Sequence, residues 1–307
     1  MKGRATVTGS APKCPNWRGV RVRRAVAEHA TAAASGASAT ERFHTDKSPF
    51  EAVKDTPKER VDLLARAVLD AVHDTIREHK VTYDEFNALK AWLIQVGQDG
   101  EWPLFLDVWV EHVVEDVATS HREGNKGSIE GPYYVPNAPE LGADGTIPMR
   151  DGEQGSQLVW EGTITSTDGK PLAGMVELWH ADADGFYSQF APGIPEWNLR
   201  GSFSTGPDGK FKITTIRPAP YQIPTDGSCG KLISAAGWHA WRPAHLHVKV
   251  SAPGHELLTA QLYFPGDPHN KDDIATAVKP ELMLAPVEGP DGGYAMGYDF
   301  VLDPVRS

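Results

Sequence analysis

In Arg242-Pro243-Ala244-His245-Leu246-His247, followed by Val248-Lys249-Val250, apolar and polar residues alternate. A period of two belongs to a β-strand, whose successive side chains point to opposite faces. His245 and His247 then share one face, and both imidazoles can reach a single ion. An H-x-H pair alone leaves two readings open: a metal site, or two histidines satisfied within a β-sandwich.

Working outward from this segment, the residues beyond Gly124 keep the same texture. Short β-rich runs, Leu158–Ile164, Met175–His180, Phe211–Thr215, Leu246–Val250, Leu258–Phe264 and Tyr298–Leu302, are divided by turn signals. Thr167-Asp168-Gly169 and Pro207-Asp208-Gly209 are examples of those signals. Such spacing predicts an antiparallel β-sandwich or barrel.

The preceding hundred residues read as helix. Thr56-Pro57-Lys58-Glu59 combines a capping box with proline at the first helical position, and Val61, Leu64, Ala65, Val68, Val72 and Ile76 make one apolar face. Thr82-Tyr83-Asp84-Glu85 opens a second helix lined by Phe86, Leu89, Leu93 and Val96, with Gly97 as its C-cap. A third runs from about Pro103 to Thr119, with Leu106, Trp109, Val110, Val113 and Val117 on one side. The fold expected is mainly β with an α-helical N-terminal part. Residues 1–45 form a disordered extension, 46–124 a helical domain and 125–307 the sandwich.

Composition excludes several functions. With a net charge of −11 the chain is ill suited to nucleic acid, which needs clustered Lys and Arg. Two cysteines, Cys14 and Cys229, give no disulfide framework and suit a reducing cytoplasm. No run approaches the ~18 apolar residues that insertion into a membrane requires. Met1 to Ala27 carries seven basic residues and no acid, which leaves a targeting signal open beside a plain extension or an upstream start.

Two further segments bear on the histidine pair. Trp179-His180-Ala181-Asp182-Ala183-Asp184-Gly185-Phe186-Tyr187-Ser188 leaves a strand through a turn and presents Tyr187. Arg217-Pro218-Ala219-Pro220-Tyr221-Gln222-Ile223-Pro224 sets Tyr221 in a proline-stiffened loop. Each tyrosine taken singly also reads as a packing residue whose hydroxyl finds a backbone partner.

Together with Gly131-Pro132-Tyr133-Tyr134, these segments in this order resemble the intradiol ring-cleaving dioxygenases, most nearly those acting on catechol. The similarity runs from about Thr45 to Pro304. It implies one ferric ion per chain, bound by Tyr187, Tyr221, His245 and His247. It also implies intradiol cleavage of catechol by dioxygen to cis,cis-muconate, with hydroxyquinol or a chlorocatechol as the alternative substrate. In the family scheme catechol binds through both oxygens and Tyr221, the axial ligand, departs and helps take up a proton. Arg242 matches the residue that steadies charge developing on the ring; the minor alternative is a strand-end arginine in a surface ion pair. Gln261 matches a position near that arginine. Leu104, Asp107 and Val108 match the roof of the substrate pocket; Ile129, Gly131, Pro132 and Tyr133 its opposite wall; Ala275 a small-residue position beside the ring. Ile223, after Tyr221, recurs in relatives of several specificities. For Leu104, Val108 and Ile129, ordinary core packing is the better account from the sequence alone. The resemblance further implies a homodimer through the N-terminal helices, enclosing a lipid in some members. A zinc hydrolase built on the histidine pair would want a third histidine or a carboxylate, and a non-catalytic sandwich would bind no ion at all.

Overall fold

The computed structural model describes residues 56–306, so the expected extension over 1–45 lies outside the described residues. Among the described residues four helices come first: α1 (Lys58–His79), α2 (Tyr83–Gln98), α3 (Trp102–Trp109) and α4 (Glu111–Ala118). The start of α2 follows its capping box, with Thr82 accepting from the Glu85 amide and the Glu85 carboxylate receiving the Thr82 amide.

Three helical expectations need correction. Pro57 is the N-cap of α1 rather than its first helical residue, and no side-chain cap bond forms there. Gly97 lies inside α2, whose C-cap is Asp99. The expected third helix is two helices, because Val110 (φ −124°, ψ −39°) leaves helical geometry between α3 and α4. The break turns Glu111 toward the next segment, where its carboxylate accepts from the amides of Glu130 (2.8 Å) and Gly131 (3.3 Å).

The remainder is a β-sandwich. Its strands are β1 (Glu140–Leu141), β2 (Asp144–Thr146), β3 (Gln157–Ser166), β4 (Met175–Trp179), β5 (Arg200–Ser204), β6 (Lys210–Ile216), β7 (Tyr221–Gln222), β8 (Trp241–Arg242), β9 (His245–Ser251), β10 (Leu258–Tyr263), β11 (Val287–Glu288), β12 (Tyr294–Gly297) and β13 (Phe300–Leu302). A helix, α5 (Ser228–Ala236), lies between β7 and β8. One sheet has the order β1-β5-β4-β9-β10 and the other β11-β12-β3-β6-β2, with β13 also on β3. The central pairs β4/β5, β4/β9, β9/β10 and β3/β6 are antiparallel. The sheets as a whole are mixed rather than antiparallel, because β1/β5, β2/β6, β12/β3 and β13/β3 run parallel.

Trp160, Leu158, Ile213, Phe203, Val176 and Leu178 join Leu246, Val248 and Val250 in the apolar layer between the sheets. Strand β9 is central and buried along both faces. Leu246, Val248 and Val250 point into that layer, which leaves His245, His247 and Lys249 on the opposite face. The histidines therefore sit outside the sandwich core. A second apolar cluster, with Leu104 and Val108 of α3, forms around them.

Candidate metal centre and its pocket

Strand pairing fixes His247 from both sides. It stands opposite Gln261 of β10 and Trp179 of β4, and the Trp179 indole stacks on its ring at 4.8 Å and 13°. The His245 Nδ1 lies 2.7 Å from the Pro243 carbonyl, an acceptor only, so Nδ1 carries the proton and Nε2 keeps its lone pair.

Tyr187 reaches the same place from the turn after β4. Asp182 builds that turn, accepting from the amides of Asp184 (3.0 Å) and Phe186 (2.9 Å) while Arg150 holds its other oxygen at 2.9 Å. Gly185 has φ +89°, and a Cβ there would lie 2.6 Å from the Cβ of Tyr221. Only glycine lets the two tyrosine segments approach this closely. Tyr221 itself is fixed on β7, directly opposite Arg242 of β8.

The donor atoms converge. His245 Nε2 is 3.0 Å from His247 Nε2, which is 3.2 Å from the Tyr187 hydroxyl. The Tyr221 ring meets Tyr187 edge-on with centres 5.4 Å apart, and lies 5.6 Å from the His245 ring. Separations of roughly 3 Å are those of ligand atoms around one ion with bonds of ~2.0–2.1 Å. Burial drives the His245 pKa down to about 3 and that of His247 well below the usual imidazole range, so both rings are neutral and able to donate. Burial also raises both phenols above their ordinary value. Two phenols in such a place ionise only beside a strong cation. The donor set fits a hard trivalent metal.

Arg242 is buried and already engaged. Its Nε and Nη2 donate to the two oxygens of Asp273 at 3.0 Å each, and Nη2 donates to Gln261 Oε1 at 2.8 Å. Gln261 in turn donates to the Ile129 carbonyl at 2.9 Å and accepts from Tyr263 at 2.8 Å. This is no surface ion pair: Nη1 of Arg242 comes within 3.4 Å of His245 Nε2.

Leu104, Val108, Ile129, Tyr133, Ile223 and Ala275 belong to one buried cluster with Tyr187 and Tyr221. Tyr133 stacks on Tyr187 at 4.4 Å. Gly131 (φ +72°) faces His247, whose Cε1 would be 3.4 Å from an added Cβ, and Pro132 beside it is buried. Asp107 is half-buried, and desolvation, then Glu111 and Glu130, lift its pKa to about 7.

Sequence reasoning missed Asp273, Trp179 as a stacking partner, and Arg200. Arg200 is buried and donates to Ser188 Oγ (2.8 Å), the Ser188 carbonyl (3.0 Å) and the Tyr133 carbonyl (2.7 Å), which clamps the chain on both sides of the site. Strand β5, which carries it, was not foreseen either.

The known proteins most informative for this geometry agree with one another. Residues 129–304 match the family model described as Dioxygenase, and 58–126 the one described as Catechol dioxygenase N terminus. The chain belongs to the intradiol ring-cleaving dioxygenase family. It is 39% identical over 219 residues to a chlorocatechol 1,2-dioxygenase of Rhodococcus opacus, covering 70% of this chain and 85% of the relative. A catechol 1,2-dioxygenase of Acinetobacter baylyi is 38% identical over 246 residues, covering 76% and 78%. The crystal structure of 3-chlorocatechol 1,2-dioxygenase from Rhodococcus opacus superimposes with a TM-score of 0.78 at 43% identity, over 81% of this chain and all of the other.

Proposed function

We propose that this enzyme cleaves catechol, and chlorinated catechols with it, between the two hydroxyl-bearing carbons at a ferric centre held by Tyr187, Tyr221, His245 and His247. The observation that carries the reading is the convergence of two neutral imidazoles and two phenols on one buried point, bounded by an apolar pocket. These four residues would hold one metal per chain, and when bound it would supply Lewis-acid chemistry to a catechol in the pocket.

The protein's own groups do the rest. Tyr221 stands in a two-residue strand facing Arg242, and as a phenolate it would take a catechol proton onto its own oxygen, becoming the neutral phenol. Tyr187, held by the Gly185 turn and stacked under Tyr133, stays in place. Arg242, fixed by Asp273 and Gln261, presents a permanent positive charge beside the reacting ring. Leu104, Val108, Ile129, Ile223 and Ala275 exclude water and shape the space around ring substituents. Asp107, with Gly131, Pro132 and Tyr133, closes the remaining wall.

The N-terminal helices from Lys58 to Ala118 make the homodimer. Every apolar residue of the α1 stripe is exposed, Val68 at 63%, and Val113, Val114 and Val117 of α4 are exposed too. A stripe of this kind needs a partner, a second copy and in some relatives a lipid. No helix among the described residues is long and apolar enough to cross a membrane.

The test is turnover of catechol, 4-chlorocatechol and hydroxyquinol side by side, with product absorbance separating intradiol from extradiol cleavage. Muconate-type products from the first two sustain the reading. Preference for hydroxyquinol would replace the substrate, and extradiol products would remove the mechanism.

A further inference from the structure

Outside the iron-site residues, one cluster of ligating side chains has no role in the chemistry described above. His239 precedes β8, while His269 and Asp272 lie in and just after a 3₁₀ turn (Pro268–Lys271). One ligand atom from each lies within 4.8 Å of the other two. His239 Nε2 is 3.3 Å from one oxygen of Asp272, and His269 Nδ1 is 3.3 Å from the other.

Those distances carry the argument. A charge-assisted hydrogen bond between imidazole and carboxylate closes to ~2.7–2.9 Å. Each imidazole nitrogen thus stands at about the ~3.3 Å that separates ligand atoms on one zinc with bonds of ~2.0–2.1 Å, though each from a different oxygen of the carboxylate. The rings are 5.7 Å apart and tilted by 45°, which lets both point at a shared position. The mount is stiff. Trp241 stacks flat on His269 at 5.1 Å and 3°. Asp267 accepts from the amides of His269 and Ala244, both at 2.9 Å. The Ile274 amide donates to the Trp241 carbonyl at 3.2 Å.

We propose that His239, His269 and Asp272 form a second, surface-lying site for a divalent transition cation, zinc above all. Two imidazole nitrogens and one carboxylate oxygen suit zinc, with water in the fourth position, and disfavour magnesium and calcium. Binding has one internal cost. His239 Nδ1 now accepts from the Trp241 amide at 3.1 Å, and coordination through Nε2 requires the proton on Nδ1. Losing that bond, and the exposure of Asp272, weaken the site relative to a fully pre-organised one. The ion would tie the residues next to Arg242 to the residue next to Asp273, so it would brace the wall of the iron pocket without entering it.

Titrating the iron-loaded enzyme with zinc chloride by calorimetry, while following its visible absorbance, tests this. One zinc per chain beyond the iron is expected, with the visible band intact and the thermal midpoint raised. Asp272→Asn and His239→Gln should each weaken binding at least about tenfold, and both should keep the visible band. The idea is overturned by no measurable uptake, by parental affinity in either variant, or by zinc uptake that proceeds only as the visible band is lost.

Discussion

Tyr221 and Arg242 face each other across the two-stranded ribbon of β7 and β8, so this phenol and this guanidinium are held by one pair of backbone strands. Arg242 is itself locked by Asp273 at 3.0 Å, with both side chains buried. Removing one partner of a buried pair strands the other charge. Asp273→Ala should cost about 3–5 kcal/mol in urea unfolding. Arg242→Gln, which removes the charge, should lower kcat roughly 10²–10³-fold while iron content stays near the parent's.

Tyr187→Phe removes one of the two phenol oxygens proposed to hold the iron. Iron-loaded parent protein should be red-brown from tyrosinate-to-iron charge transfer. The variant should show a weakened, shifted band and a loss of turnover of at least about 10²-fold. Visible spectra beside iron assays check both, and unchanged colour would dismiss Tyr187 as a ligand.

Gly185→Ala tests the close approach of the two tyrosine segments. At φ +89°, with a Cβ meeting that of Tyr221 at 2.6 Å, the substitution must push the two chains apart. We expect about 1–3 kcal/mol of destabilisation. The same change should disturb the visible band more than Gly169→Ala, because Gly169 also has a positive φ but nothing within reach of its Cβ.

Asp107 gives a pH signature. Its folded pKa of about 7 lies above the ordinary carboxylate value, because the charged form is desolvated and sits near Glu111 and Glu130. The folded state therefore binds more protons than the unfolded one between these values. Its contribution to stability is full below about pH 4 and is lost as pH rises through about 7. Asp107→Asn should flatten that part of the stability profile, measured as urea midpoints from about pH 4 to 8.

Cys229 should be silent. Burial, then Glu101, drives its thiol pKa up to about 12, and it is inaccessible in the fold. A thiol reagent should label it only when the chain is unfolded.

How far this molecule could be read without coordinates depends on where each signal lives. Strand β9 was legible because a period of two and an H-x-H pair are local features. The Thr82 cap was legible for the same reason, a four-residue pattern satisfied within itself. Asp273 was not legible, since its partner Arg242 lies 31 residues away and nothing in Lys271-Asp272-Asp273 points inward. Strand β5, Arg200-Gly201-Ser202-Phe203-Ser204, lacks alternation because it is buried on both sides between β1 and β4. Thr56-Pro57 misled because the proline that permits a helix start can also sit just before it. Val110 broke a helix that periodicity alone would continue, since the reason for the break, Glu111 turning to the Glu130 and Gly131 amides, lies across a loop.

Because β9 sends Leu246, Val248 and Val250 one way and His245 and His247 the other, sliding it by a single residue against β4 and β10 would put leucine and valine where imidazoles belong. A misassembled sandwich would then lack its pigment as well as its packing. Colour in a cell extract should thus report correctly folded chains, and a destabilised variant should fade in step with its soluble fraction.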